Sequence, residues 1–249
     1  MTGGALRCEN IEVSYGGLKA VGGVTYEFAP NRLYSVIGPN GAGKITLMNA
    51  LSGRTGLTAG RVFLDGRDIT RLPAHARTKA GLGRSFQITK IFAGMTVFEN
   101  LRLAAIANRY GMPPFWKRVE RDAALTGDAE EILEIVGLTR LAYRPAESLS
   151  HGDQRALEVG LTLLSKPRVL LLDEPLAGVG HERLAEAIAL IRRIVAGRTV
   201  ILIEHNMDVV MEISDGIVVM VQGKLLASGT PEAMRADPKV RSAYLGEGE

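Results

Sequence analysis

The chain has 249 residues, of which 46% are apolar and 23% are charged, and its formal net charge is only +3. This composition supports a sizeable buried core, and no dense basic run or aromatic-rich basic patch favours nucleic-acid binding. The single cysteine, Cys8, excludes an internal disulfide and fits a reducing compartment. The four histidines lack metal-site spacing, and no window approaches the roughly 18 apolar residues of a membrane span.

The N-terminal part of the chain predicts a β-rich segment. Ile11 and Val13 alternate with polar residues as in a half-buried strand, and residues 24–28 give a second strand. Residues 62–66 end in Asp-Gly, which is a hairpin signal. We therefore expect an antiparallel β subdomain here.

Residues 33–37 predict a buried strand that runs into a glycine-rich loop and then into a helix. The loop follows the phosphate-binding pattern G-x-x-x-x-G-K-[ST], in which backbone N–H groups surround the phosphates, the lysine reaches the outer phosphates and the last hydroxyl binds Mg²⁺. Strand, loop and helix in this order predict a nucleoside triphosphate site, to which the helix N-terminus adds partial positive charge. The predicted nucleotide-binding residues are Gly38, Pro39, Asn40, Gly41, Ala42, Gly43, Lys44, Ile45 and Thr46.

Ile45 breaks the pattern, because it stands where Ser or Thr should bind the metal. Thr46 is no simple substitute, since on a helix the next side chain points about 100° away. We predict that nucleotide binding survives in weakened form through Lys44 and the loop amides, while Mg²⁺-dependent hydrolysis falls. A natural degenerate site, a laboratory mutation and a sequence error are all open explanations.

From about residue 96 the periodicity becomes helical. Thr96 and Glu99 have the spacing of a capping box, and a second helix carries Ile132 and Val136 on its apolar face. We expect a helical subdomain at about residues 94–149, inserted into an α/β core.

Beyond residue 149, helices alternate with strands, and this order predicts a parallel sheet with covered faces. A hairpin with Gln222 and Gly223 at its turn follows, and Thr230 and Pro231 open a last helix. The predicted elements are a helix to residue 165, a strand at 169–172, a helix at 182–195, a strand at 199–203 and a helix at 207–213.

The strand at 169–172 ends in two carboxylates, Asp173 and Glu174. In a P-loop NTPase the aspartate at such a strand end holds Mg²⁺ or its waters. The adjacent glutamate is placed to orient and polarise the attacking water as a general base.

Residues 149–155, Leu-Ser-His-Gly-Asp-Gln-Arg, resemble the signature motif of ATP-binding cassette (ABC) proteins, and they precede the carboxylate strand as they do in that family. Tyr15 resembles the aromatic on which the family stacks adenine, Gln87 its Q-loop glutamine, and His205 its switch histidine. Six motifs in family order cover residues 6–246. The resemblance implies a single ABC ATP-binding domain, an α/β P-loop NTPase with a RecA-like core, an antiparallel β subdomain and a helical subdomain.

The resemblance also implies the roles of these side chains in binding and hydrolysing ATP with Mg²⁺. Glu174, His205 and Gln87 would serve catalysis, Asp173 and Gln87 would hold the metal, and Tyr15 would contact the adenine.

The signature implies a second cassette, because Ser150 and Gly152 would complete the ATP site of a partner. Two cassettes would then sandwich two ATP molecules, closing on ATP and opening after hydrolysis. His151 and Asp153 vary the signature, and Gly180 stands where many members of the family carry Asp or Asn.

Within the family, residues 175–179, 203–208 and 242–246 resemble importer subunits for branched-chain amino acids and, more distantly, for urea or short amides. This implies a peripheral protein at the cytoplasmic face of the membrane, without nucleic acid. Its implied partners are a second ATPase subunit, two transmembrane permease subunits and an extracytoplasmic solute-binding protein.

Two other functions compete with this prediction. A degenerate cassette could clamp ATP as a regulatory subunit while its partner hydrolyses; Ile45 favours that reading, whereas Glu174 and His205 oppose it. A soluble ABC ATPase acting on nucleic acid commonly has fused cassettes or long insertions, and neither is found here. Phe115 and Trp116 either contact a permease or fold back on their own subdomain, and the second is favoured.

Overall fold

A computed structural model describes residues 2–85, 91–110 and 123–245. The chain divides into two compact units. Unit one consists of Met1–Arg84, Arg168–Pro175 and Val195–Glu249, and unit two consists of Ser85–Pro167 and Leu176–Ile194. Among the helices within these ranges, none combines the length and the apolar character that crossing a bilayer requires.

The elements are numbered in chain order. The strands are β1 (Leu6–Tyr15), β2 (Leu18–Phe28), β3 (Leu33–Ile37), β4 (Ala59–Leu64), β5 (Arg67–Asp68), β6 (Leu82–Arg84), β7 (Val169–Asp173), β8 (Thr199–Ile203), β9 (Gly216–Val221) and β10 (Lys224–Gly229). The helices are α1 (Lys44–Ser52), α2 (Ala74–Lys79), α3 (Val97–Tyr110), α4 (Ala123–Val136), α5 (His151–Leu163), α6 (His181–Val195), α7 (Met207–Ile213), α8 (Pro231–Ala236) and α9 (Pro238–Leu245).

Unit one contains two sheets. The first is antiparallel, with strand order β2-β1-β4-β5, and it confirms the predicted β-rich segment. The second has the order β10-β9-β3-β8-β7-β6, in which the strands from β9 to β6 are parallel and β10 is antiparallel. The α/β prediction is therefore confirmed.

The strands at the centre of the second sheet read as continuous apolar runs because every residue of β3, β7 and β8 is buried. Since these three strands are parallel neighbours, their carboxyl ends meet at the same edge of the sheet. The loops that follow them begin at Gly38, Glu174 and Glu204. In open α/β sheets, this edge is where ligands bind.

The larger core cluster of unit one joins apolar side chains from both sheets and α1. At one end of it the Phe28 ring packs edge-on against Tyr26, 4.8 Å between ring centroids, and Tyr34, 5.2 Å. The buried Tyr34 hydroxyl accepts a hydrogen bond from the Ala29 N–H at 3.0 Å, so that its polar end is satisfied.

Unit two is built on α3, α4 and α5, whose apolar faces bury Leu101, Leu125 and Leu157 completely. The predicted capping box opens α3, because the Thr96 N–H donates to Glu99 Oε2 at 2.8 Å and the Glu99 N–H donates to Thr96 Oγ1 at 3.2 Å. These reciprocal bonds satisfy two amides that the helix itself leaves free.

The structure contains elements that the sequence patterns did not predict, namely β6, α2 and α9. β6 has only three residues, too few to display a period of two. The predicted last helix is two helices, since α8 ends at Ala236 and Pro238 opens α9, where a proline without an N–H cannot continue the preceding helix.

Unit two includes the predicted helical subdomain, residues 94–149, and extends beyond it on both sides. The assignment of residues 6–246 to a single domain stays a prediction. The aromatic pair Phe115 and Trp116 lies outside the described residues.

Two helical glycines of unit two should respond to substitution in opposite directions. A Cβ at Gly160 of α5 would lie 3.0 Å from Ile132 and 3.3 Å from Leu101, so Gly160→Val should destabilise the fold by about 1–3 kcal/mol through overpacking. A Cβ at exposed Gly127 of α4 meets nothing within 4 Å, so Gly127→Ala should stabilise by about 0.5–1 kcal/mol. Denaturant unfolding measures both, and equal effects would contradict the packing described.

Candidate functional site

The phosphate loop depends on glycines with positive φ. Gly38, Gly41 and Gly43 have φ of 150°, 77° and 92°, a region that other residues rarely adopt. A Cβ on Gly38 would lie 2.1 Å from the carbonyl oxygen of Met220, and one on Gly43 would lie 2.5 Å from that of Ala20. Two of the three glycines are thus required by close contacts as well as by conformation.

Lys44, the first residue of α1, folds back over this loop. Its Nζ donates to the carbonyl oxygens of Gly38 at 2.6 Å and Pro39 at 3.0 Å, and the residue is buried. Burial lowers the pKa of Lys44, while Glu174 and Asp173 act in the opposite direction. The ammonium is therefore held at the loop by carbonyl groups that a phosphate can replace.

The loop forms one wall of a cleft of about 590 Å³ in unit one, a volume typical of small-ligand sites. The cleft brings together Tyr15, residues 40–46 of the phosphate loop, Glu174 and His205, which are predicted to belong to one site; Gly38 and Pro39 of the loop do not line it. Tyr15 is 51% exposed at the end of β1, so its ring face is accessible. The lining residues are Tyr15, Leu18, Lys19, Ala20, Asn40, Gly41, Ala42, Gly43, Lys44, Ile45, Thr46, Glu174, His205, Gln222 and Gly223.

Glu174 and His205 are in direct contact. His205 Nε2 lies 2.9 Å from Glu174 Oε1, and the imidazole tautomer with its proton on Nε2 donates to the carboxylate in this contact. Glu174 has φ of 47°, a conformation that costs a non-glycine residue of order 1–3 kcal/mol and that clusters at functional sites. Its N–H donates to the carbonyl of Ile203 at 3.1 Å, which holds Glu174, the residue after β7, beside the last residue of β8.

Asp173 is buried beside an arginine that the sequence did not indicate. Arg84 Nη2 lies 3.5 Å from Asp173 Oδ2, and Arg84 Nη1 donates to Asn49 Oδ1 at 2.7 Å and to Ser52 Oγ at 2.9 Å. Burial lowers the pKa of Arg84, and Asp173 counteracts this. Arg84 thus links β6, α1 and β7 around one carboxylate.

The donor set fits Mg²⁺ in part. Asp173 Oδ1 is buried and has no hydrogen-bond partner among the described residues, which leaves one oxygen for a metal or its water. Ile45 lines the cleft with 42% of its surface exposed but carries no oxygen. Thr46 lines the same cleft and is partly buried. Gln87, the other predicted metal ligand and catalytic residue, lies outside the described residues.

The hairpin between β9 and β10 has a role that the sequence did not indicate. Its turn was predicted at Gln222 and Gly223, and the Gly223 N–H donates to the carbonyl of Ala42 in the phosphate loop at 3.0 Å. The Gly223 carbonyl in turn accepts from the Gly22 N–H at 2.8 Å. The turn therefore connects β2 to the phosphate loop.

The predicted signature residues lie in unit two, at the start of α5. Ser150 caps this helix, its Oγ accepting from the Asp153 N–H at 3.3 Å and donating to Asp153 Oδ2 at 2.6 Å. Arg183 of α6 donates from Nη1 to Ser150 Oγ and from Nη2 to Asp153 Oδ1, the latter at 2.6 Å. A Cβ on Gly152 would lie 3.3 Å from the same guanidinium. No sequence pattern had indicated Arg183.

The fold and the cleft define a P-loop nucleotide-binding protein, and comparison with known proteins gives the family. Residues 21–177 match the ABC transporter family, and residues 224–249 match the branched-chain amino acid ATP-binding cassette transporter family. The chain belongs to the ABC transporter family, whose cassettes bind nucleotide.

Two transport proteins and one solved structure are similar to this chain over nearly its whole length. The high-affinity branched-chain amino acid transport ATP-binding protein BraF of Pseudomonas aeruginosa is 42% identical over 97% of this chain and 98% of that protein. Its counterpart LivG of Escherichia coli is 39% identical over 97% and 98%. The ADP conformation of MJ1267, an ATP-binding cassette of an ABC transporter, superposes with a TM-score of 0.86 at 33% identity, covering 99% of each chain.

Two alanine substitutions in the phosphate loop should distinguish the effect of a steric clash from the effect of backbone strain. Gly43→Ala places a Cβ 2.5 Å from the Ala20 carbonyl, so we expect it to abolish measurable nucleotide binding. At Gly41, where a Cβ meets nothing within 4 Å, alanine carries only the left-handed strain of about 1–2 kcal/mol. Titration with a fluorescent ATP analogue compares the two, and equal affinities would contradict the steric argument.

Proposed function

We propose that this chain is the ATP-hydrolysing subunit of an importer for branched-chain amino acids. The contact between Glu174 and His205 in the cleft that the phosphate loop lines carries the proposal, because a carboxylate held by an imidazole suits a general base for an attacking water. The names of BraF and LivG support the choice of substrate.

Four side chains of the cleft have assigned roles in the proposed reaction. The Tyr15 ring stacks on the adenine, and Lys44 with the loop amides neutralises phosphate charge. Glu174 accepts a proton from the attacking water, while the imidazole N–H of His205 holds that carboxylate in place. Gln87, which lies outside the described residues, would contact the metal and the attacking water.

Asp173 and Gln87 are the residues of this chain that would hold Mg²⁺. When bound, the ion stabilises the charge that develops on the phosphoryl oxygens. Arg84 Nη2 lies 3.5 Å from Asp173 Oδ2, and Asp173 Oδ1 has no protein donor in the described part of the chain. Position 45 contributes no ligand, so the ion is held by fewer protein oxygens than the loop pattern provides.

The chain acts within an assembly of several subunits. Ser150 and Gly152 contact the ATP bound to a second cassette, which is another copy of this chain or a related subunit. The pair acts at the cytoplasmic face of the membrane on two permease subunits, which receive the amino acid from an extracytoplasmic binding protein. Nucleic acid has no part in it.

A degenerate regulatory cassette is the second candidate. Ile45 favours it, because the loss of the hydroxyl removes a metal ligand but leaves the nucleotide-binding glycines and Lys44 in place. The intact pair of Glu174 and His205 favours hydrolysis instead, since a subunit that only clamps ATP has no use for a general base.

Ile45→Thr should restore the missing metal ligand and raise the steady-state ATPase rate at least about tenfold, because each 1.4 kcal/mol of transition-state stabilisation is worth tenfold. Ile45→Val is the matched control, since valine has the shape of threonine without its hydroxyl. Equal rates for the wild type and Ile45→Thr would contradict the assigned role of position 45.

Deletion of the gene from its native host should reduce uptake of radiolabelled leucine, isoleucine and valine to background, with lysine uptake as the control. Wild-type protein supplied in trans should restore uptake, whereas Gly43→Ala should not, because it cannot bind nucleotide. Unchanged leucine, isoleucine and valine uptake in the deletion strain would refute the proposed substrate.

A further inference from the structure

The guanidinium of Arg183 joins two residues at the start of α5. Nη1 donates to Ser150 Oγ, and Nη2 donates to Asp153 Oδ1 at 2.6 Å. Asp153 is partly buried, with 18% of its side chain exposed, and Arg183 has 37% exposed. A second carboxylate, Glu186, reaches Arg183 Nε at 3.3 Å but is 73% exposed and is not among the hydrogen-bond partners of Ser150.

The positive charge of Arg183 offsets the negative charge of Asp153, which would otherwise oppose phosphate binding at the signature residues. Ser150 donates its only hydroxyl proton to Asp153 Oδ2 at 2.6 Å. An ionised carboxylate so close to that hydroxyl would repel an approaching phosphate, because like charges within about 4–6 Å oppose each other. The cation of Arg183 lies against the same two side chains and cancels the charge of Asp153.

Asp153 is ionised at neutral pH, so its negative charge is always present beside Ser150. Burial raises the pKa of Asp153, but hydrogen bonds from Arg183 and Ser150 outweigh this and hold it below its usual value. In the same contact, the hydrogen bond to Asp153 raises the pKa of Arg183. The two groups form a fixed ion pair.

We propose that Arg183 is a positioning residue, which neutralises Asp153 and holds the Ser150 hydroxyl so that the signature can receive the phosphates of ATP bound to a partner cassette. This inference rests on the proposed function. It explains how a signature that carries an aspartate beside its serine can still face an anion. Asp153 and Arg183 act as a unit, so that the loss of the cation is harmful only while the carboxylate remains.

The experiment compares Arg183→Gln, Asp153→Asn and the double variant in the Ile45→Thr background, where hydrolysis is expected to be measurable. Glu186→Gln is the matched control, because it removes a carboxylate from the same guanidinium without changing Ser150. We measure kcat and KM for ATP, together with ATP-driven association of cassettes by sedimentation. A fall in kcat without a change in KM would assign the effect to the signature residues and not to the chain's own nucleotide site.

Arg183→Gln should lower kcat about tenfold and weaken association, while KM stays within about twofold. The double variant should recover most of the loss, since removal of Asp153's charge removes the need for Arg183. Glu186→Gln should match the parent. If Arg183→Gln fails to fold, Arg183→Lys, which retains the charge but not the fork, should show a smaller loss with the same recovery.

If Arg183→Gln has the same kcat as the Ile45→Thr parent, the inference is overturned and the proposed function stays intact. The same holds if adding Asp153→Asn does not restore the kcat that Arg183→Gln loses. A parent protein that neither hydrolyses ATP nor associates with it overturns the proposed function, and this inference with it.

Discussion

Phosphate binding by backbone N–H groups requires a tight loop, and the rest of unit one is arranged around that requirement. The loop can bend only because Gly38 and Gly43 lack side chains where the carbonyls of Met220 and Ala20 approach. Those carbonyls belong to β9 and β2, one from each sheet. The antiparallel sheet is therefore part of the nucleotide site, and the parallel sheet adds Glu174 and His205 at the same edge.

The electrostatics of the cleft follow from burial. Lys44, Arg84 and Asp173 are each less than one-tenth exposed, and charges so placed persist only when they are paired or await a ligand. Asp173 is paired on one oxygen, and its other oxygen has no hydrogen-bond partner within the described ranges. Ile45 therefore lies in a site whose other charged side chains are already in place, and the departure from the loop pattern is confined to one position.

Local signals in the sequence predicted much of this structure. The phosphate loop, the capping box at Thr96 and the turn at Gln222 are contiguous motifs, whose conformation is set by neighbouring residues. The contacts of Arg84 and Arg183 could not be predicted from the sequence, for a physical reason. Each arginine meets its carboxylate only through the tertiary fold, and a single arginine near a short strand or a helix start resembles many solvent-exposed ones. The sequence predicts that Glu174 and His205 belong to one site, but it does not predict that their side chains are in contact.

The hydrogen bond from Gly223 to Ala42 has a consequence for synthesis. The hairpin turn follows the phosphate loop in sequence, so the loop leaves the ribosome before the turn that braces it is made. Chains grow from the N-terminus and fold as units become complete. A nascent chain therefore completes the contact between the turn and the loop only when β9 and β10 have joined the sheet, so the final geometry of the loop depends on the finished sheet.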